Sequence, residues 1–284
     1  MNNEEKMAKI VALKKEILEN YKRLNLNDSF RFSCNKDVPC FNACCKDINI
    51  FLTPYDILRM KKRLGLSSEE FLSKFTLTPF TKDMKLPVVV LKMGEDPSKK
   101  CSFVSEDGCT IYEDRPWPCR MYPLGFASPG EGLENEKEFY FLMDEPDCLG
   151  FKENREYTVE SWLSDQGLNE YNEMGEFFKE ISLHPYFEKN DLSPEKMEMY
   201  FTACYNLDKF RRFIFASNFL KYFDVDNETI EKIKEDDIEL MKFAFRWLKF
   251  SLFGENTMKM KDEAVRERKE GIGKNKKGVD FQDE

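Results

Sequence analysis

The chain has 284 residues, with 44 lysines and arginines against 53 aspartates and glutamates and a formal charge of −9, a balance that repels phosphate backbones and anionic lipid wherever no basic patch overrides it. At 34% charged and 14% aromatic residues, the composition is that of a globular protein able to bury a core without disulfide staples, not that of a disordered chain. No run approaches the ~18 apolar residues of a membrane span, and "MNNEEKMAKIVALKKEIL" places acids ahead of its first apolar residues, unlike a signal peptide. The expectation is therefore a cytoplasmic protein with neither nucleic acid nor membrane as partner.

In chain order, Ile10, Leu13, Ile17, Tyr21 and Leu24 recur every three or four residues and predict an amphipathic helix from about residue 5 to 24. "DINIFL" reads as a short strand. In "TPYDILRMKKRLG", Thr53 is a cap, Pro54 takes the first helical position and Gly65 is the stop. Ser67 with Glu70 forms a capping box for the next short helix. "LPVVVLKM" predicts a buried strand, "CSFV-SEDG-CTIY" a hairpin and "EFYFLM" a further strand. Between them "EDRPWPCRMYPLG", with prolines at 116, 118 and 123, predicts a stiff extended loop.

From Thr158 onward the pattern is helical, over about 159–166, 169–182, 194–222 with a break near Leu207, and 228–253 ended by Gly254. Residues 255–284 lose their apolar period and read as a solvated, disordered tail. Its "GIGKNKKG" follows no strand and lacks the Gly-Lys-Ser/Thr ending of a phosphate loop. The expected fold class is α+β and mainly helical, divided into an N-terminal helix (1–29), a cysteine-rich hairpin and loop region that binds metal (30–150), an all-helical part (151–254) and the tail (255–284).

The chemistry lies in the cysteines. Eight of the nine, Cys34, Cys40, Cys44, Cys45, Cys101, Cys109, Cys119 and Cys148, fall in expected loops or at strand ends, where a turning backbone can aim several side chains at one centre. Cys204 shares a helical face with Tyr200, Phe201 and Leu207 and reads as packing. In a reducing compartment clustered thiols point to metal rather than to disulfides, and Cys44 and Cys45, with Cα atoms about 3.8 Å apart, do not readily bridge each other.

Thiolate tetrads suit zinc and iron–sulfur clusters alike. The one histidine, His184, is remote in sequence and reads as structural, so histidine-rich sites are excluded. Apart from the stretch between Cys45 and Cys101, the gaps are five, three, zero, seven, nine and twenty-eight residues. None of these is a Cys-x-x-Cys zinc knuckle, which leans toward iron and sulfur. The Cys-x-x-x-Cys-x-x-Cys of radical S-adenosylmethionine enzymes would need a third cysteine where Asp47 stands. A full hairpin would set Cys109 opposite Val104 and Cys101 opposite Tyr112, three rungs or about 10 Å apart, and so assign Cys101 and Cys109 to different centres. Arg115 and Arg120 flank Cys119, either to offset the charge of a thiolate-bound centre or to pair with Glu113 and Asp114.

"FSCNKDVPCFNACCKDINIFLTPYDILRM", "CSFVSEDGCTIYEDRPWPCRMYPLG" and Cys148 together resemble the YkgJ-type cysteine-cluster family, named for a CxxCxxCC motif and described as zinc- or iron-chelating. The likeness covers about residues 30–150, although the gaps here are five and three where that motif has two and two. The resemblance implies that the eight cysteines named above are the metal ligands. It also brings in flagellin lysine N-methylases, which implies as an alternative an iron–sulfur- and S-adenosylmethionine-dependent methyltransferase acting on protein lysines, although no glycine-rich nucleotide loop is present. A third alternative is a structural zinc module whose helical half binds a protein partner.

Overall fold

Thr53 opens its helix as the sequence dictates. Its side chain accepts the Asp56 N–H at 3.1 Å while Asp56 Oδ2 accepts the Thr53 N–H at 2.7 Å, Pro54 begins the helix Pro54–Leu64, and Gly65 ends it in the left-handed region at φ 66°. Ser67 and Glu70 close the expected box on the helix Ser68–Phe75. These elements belong to a computed structural model that describes residues 21–79, 85–127, 138–262 and 266. The molecule is α+β and mainly helical, as expected, and divides into two compact units, Met1–Phe51 with Leu91–Glu173, and Leu52–Val90 with Met174–Glu284. Residues 52–90, placed by the sequence within the 30–150 stretch, thus fall in the unit that holds the C-terminal helices.

In the first unit, strand β1 (Ser29–Arg31) pairs antiparallel with β9 (Glu156–Thr158), β5 (Val104–Ser105) with β6 (Gly108–Cys109), and β7 (Leu124–Ala127) with β8 (Phe139–Leu142). The core gathers Leu24, Phe30, Phe32, Met121, Leu124 and Leu168 around Trp162, whose indole lies 5.9 Å and 5.7 Å from the rings of Phe30 and Phe32. The Trp162 N–H is satisfied by the Met121 carbonyl at 3.2 Å.

Three sequence expectations change here. The helix expected over 5–24 lies mostly outside the described residues, and at its end Leu24 is extended, exchanging backbone hydrogen bonds with Tyr140 at 2.7 and 3.1 Å. "EDRPWPCRMYP" is not an extended loop but a 3₁₀ turn, Tyr112–Asp114, followed by a short α-helix, Trp117–Met121. Pro116 caps this helix and Pro118 sits in its first turn, where a missing N–H costs nothing. The hairpin is also shorter than expected, with only Val104↔Cys109 and Ser105↔Gly108 in register.

Strands β2 (Phe51–Leu52), β4 (Val89–Leu91) and β3 (Thr76–Leu77) form a sheet in the order β2–β4–β3. In the second unit, the helices Pro194–Tyr205 and Leu207–Ala216 break at Asn206, as expected near Leu207, and a further break at Ser217 precedes Phe219–Tyr222. The span 228–253 is not continuous. Asp236 interrupts it by accepting the Ile238 and Glu239 N–H groups, so that Asn227–Glu235 ends and Asp237–Leu248 begins. Cys204 is fully buried beside Tyr200, and His184 stacks on Phe253 at 3.7 Å; both have the packing roles expected of them. Residues 255–261, expected in the tail, are held by backbone bonds from Asp224 to Lys259 (2.8 Å) and from Lys261 to Tyr222 (2.9 Å). Beyond 262 only residue 266 is among the described residues.

A buried ionic cluster ties this unit together. Asp208 Oδ2 accepts from Lys61 Nζ at 3.0 Å and from the Ser68 N–H at 2.6 Å, and Asp237 pairs with Arg211 and lies 3.7 Å from Lys61. Burial pushes both carboxyls up, but the Ser68 N–H and Lys61 for Asp208, and Arg211 and Lys61 for Asp237, outweigh it, so both titrate below the ordinary carboxylate range. A carboxyl lowered by folding stabilises fully above its unfolded value of about 3.9, and that stabilisation is lost as pH falls through the folded value. The urea midpoint should therefore drop between pH 5 and pH 3, and drop less in the Asp208→Asn protein. An equally steep fall in both proteins would assign the acid sensitivity to other groups.

Candidate metal centre

The stretch around "CFNACC" is a run of turns, with Val38 N–H bonded to Asn35 O (3.1 Å), Phe41 to Val38 (2.8 Å), Ala43 to Cys40 (2.9 Å) and Cys45 to Asn42 (3.1 Å). Asn42 and Asp47 take φ of 64° and 49°, the left-handed values that asparagine and aspartate tolerate best after glycine. Such a backbone fans neighbouring side chains in different directions, which a helix or strand would not do.

Two remote segments are fastened to these turns, and all eight candidate cysteines lie within the first unit. On one side, the Leu149 N–H donates to Cys40 Sγ at 3.2 Å and the Ser33 N–H to the Gly150 carbonyl at 3.1 Å, which brings Cys148 to Cys34 and Cys40. On the other side, the Cys101 N–H donates to the Cys45 carbonyl at 2.9 Å and the Asn42 amide to the Ser105 carbonyl at 3.0 Å. The Phe41 ring lies against Gly108, which at φ 116° has a conformation few other residues adopt. Gly150 is equally constrained by space, since a Cβ there would stand 2.7 Å from the Ser33 carbonyl oxygen. Gly150→Ala should cost about 1–3 kcal/mol, read as a lowered thermal midpoint; an unchanged midpoint would mean that the Ser33–Gly150 fastening yields.

The thiols fall into two neighbourhoods. Cys34 is exposed at the surface but partly desolvated by the protein around it, and this, followed by the fields of Cys44, Cys148 and Cys40, pushes its thiol up to about 11. The Tyr122 phenol is hydrogen-bonded to Cys148 and also lies in the field of Cys44; burial first, and then these sulfurs, raise its pKa. Cys45 lies in the field of Cys119 and Cys101. Cys101 neighbours Cys109 and receives the N–H groups of Phe103 and Val104, while Cys109 receives that of Ile111; burial raises both thiols. Cys44 and Cys45 are hydrogen-bonded to each other. The hydrogen bond between them lowers Cys44 to about 6 and raises Cys45. Cys101 and Cys109 are not set apart as a full hairpin would require, because Cys101–Val104 is a turn and the ladder stops at Val104↔Cys109.

Arg115 and Arg120 are 7% and 6% exposed. Arg115 donates to the Tyr112 carbonyl at 2.5 Å and to the Gln166 side chain. Burial lowers its pKa, while Cys109 and Cys119 are among the groups that support its charge. Arg120 donates to the carbonyls of Arg115 (2.9 Å), Gln166 (2.6 Å) and Glu113 and lies 4.5 Å from the Tyr171 ring centroid. The expected choice between a role beside the thiols and pairing with Glu113 and Asp114 is therefore cast differently. For Glu113 it is the backbone carbonyl that engages Arg120, and Arg115 is the guanidinium that faces sulfur. Sequence reasoning missed Tyr122, although "CRMYP" places it three residues from Cys119. It also missed Gln166 and Tyr171, for which no signal existed.

These residues suit a soft cation in three ways. The donors are thiols, three of the sulfurs (Cys40, Cys101 and Cys109) already receive backbone N–H groups, and a buried guanidinium offsets their charge. Among the described residues no three histidine, cysteine, aspartate or glutamate side chains are closed around one point as the ligands of an ion would be. None of the nine cysteines is in a disulfide. Among the described residues no helix is long and apolar enough to cross a membrane.

Compared with known proteins, the chain matches no curated protein and no solved structure. The model of one protein family does match, and its limits, 33–149, enclose all eight thiols and both arginines. Residues 33–149 match the model of the CxxCxxCC family, described as a "putative zinc- or iron-chelating domain".

Proposed function

We propose that this domain binds a metal centre through the thiolates of Cys34, Cys40, Cys44, Cys45, Cys101, Cys109, Cys119 and Cys148, an iron–sulfur centre in preference to zinc, in a redox or assembly role. The observation that supports the reading is that two segments far away in sequence, around Cys148 and Cys101, are hydrogen-bonded to the cysteine-rich turns, with the Leu149 N–H directed at Cys40 Sγ and the Cys101 N–H at the Cys45 carbonyl. Amide hydrogen bonds and a nearby cation stabilise thiolate over thiol. Arg115 supplies the cation beside Cys109 and Cys119, and Arg120 holds the backbone carbonyl of Arg115 in place. An iron–sulfur centre held here supplies one-electron transfer, whereas zinc would supply a cross-link. The absence of a Cys-x-x-Cys knuckle supports iron and sulfur.

Purified without oxygen, the protein should be brown and contain iron and acid-labile sulfide. A colourless protein with stoichiometric zinc would end the iron–sulfur preference, and a folded protein free of metal would end the reading altogether. The methyltransferase alternative draws no support from the site; heat on titrating S-adenosylmethionine into the protein would revive it.

A further inference from the structure

The helices Asn227–Glu235 and Asp237–Leu248 meet at Asp236 and pack against each other. The seam between two packed helices is ordinarily apolar, and at its floor this one is, with Ile233 and Phe243 only 1% and 3% exposed. Its mouth is different. Lys232 and Ile233 of the first helix, and Glu239, Lys242, Phe243 and Arg246 at i, i+3, i+4 and i+7 of the second, line a cavity of about 190 Å³. This lining sets three cations against one carboxylate in a chain whose formal charge is −9, so the local potential opposes that of the molecule as a whole.

Each of the three cations can take up a ligand. Lys232 pairs with Glu228 at 2.7 Å and Lys242 with Glu239 at 3.5 Å, each within its own helix and near the surface, and weak pairs of this kind are readily given up for a better acceptor. Arg246 lies over the Phe243 ring at 4.9 Å, with Asp226 in its field. The ring contact uses the face of the guanidinium and none of its N–H donors.

We propose that this cavity is a binding site for a small phosphomonoester, with its phosphoryl group received by Lys232, Lys242 and Arg246 and its carbon body resting on Ile233 and Phe243. The excess of two positive charges in the lining matches a doubly charged phosphoryl group, whereas a single carboxylate would neutralise half of it. A guanidinium fork suits phosphoryl oxygens in particular, and the two ammoniums add point charges beside it. Size favours an ester over bare phosphate, because a cavity of roughly 150 Å³ already accepts a benzene ring. The site lies wholly in the second unit and uses none of the thiols, so it stands or falls apart from the metal-binding reading.

The test is a calorimetric titration of phenyl phosphate into the full chain at low ionic strength, with the metal content of the protein held fixed. One equivalent should bind, and inorganic phosphate should compete for the same site ~10-fold more weakly, lacking the ring that covers the apolar floor. Lys242→Gln/Arg246→Gln should weaken phenyl phosphate ~10-fold or more with the thermal midpoint unchanged. Should the double variant fail to fold, Arg246→Gln alone, at an exposed position, is read against the same expectation of weakened binding. No saturable binding to the wild type, or equal binding by the wild type and a folded variant, overturns the site. Inorganic phosphate binding as tightly as phenyl phosphate overturns the assignment to an ester.

Discussion

Replacing Cys44 and Cys45 together by serine should strip the protein of its metal and unfold the first unit. This pair closes the run of turns over residues 35–45, next to the Cys45 carbonyl that receives the Cys101 N–H, and on the proposed ligand set its loss removes two thiolates at once. Thiolate-metal bonds in small domains are worth ~10–16 kcal/mol of folding free energy, comparable to the whole stability of ~5–15 kcal/mol that a domain possesses. Bound metal should fall to background, with affinity down ~100-fold or more, and the near-ultraviolet dichroism of the Trp162 cluster should collapse with it. A variant that keeps its metal and its melting profile would mean that these are not ligands.

Arg120→Ala should be the most damaging change that removes no sulfur. The guanidinium is buried and donates to three carbonyls, those of Glu113, Arg115 and Gln166, which a methyl group would leave without those donors. Stranding buried partners in this way costs ~3–5 kcal/mol, or roughly 10 °C in Tm for a chain of this size. Lysine should not rescue, because a single ammonium cannot reproduce a planar fork directed at three acceptors and lying by the Tyr171 ring. A loss below about 1 kcal/mol, measured by chemical denaturation of wild type and variant with the same metal content, would contradict this.

Local signals were the legible part of this molecule. Thr53, Pro54, Gly65, Ser67 and Glu70 act within one or two turns of chain, so sequence spacing places their helices. Asp236 escaped because the apolar period runs through it, and only the backbone shows its carboxylate capping a new helix. Strand β7 was invisible for a different reason. "LGFA" becomes a strand through its partner Phe139–Leu142, and Gly125 is required there because a Cβ would stand 2.2 Å from the Phe141 ring. The eight sulfurs of the candidate site can be named from sequence alone, but not which of their segments meet, since that depends on the hydrogen bonds that bring residues 101 and 149–150 back to residues 33–45.

Cys34 and Cys44 stand exposed at the surface, while the other six candidate thiols are half-buried. That unevenness sets an order of attack: a water-borne oxidant or alkylating reagent should meet Cys34 and Cys44 first and the half-buried Cys109 and Cys119 later.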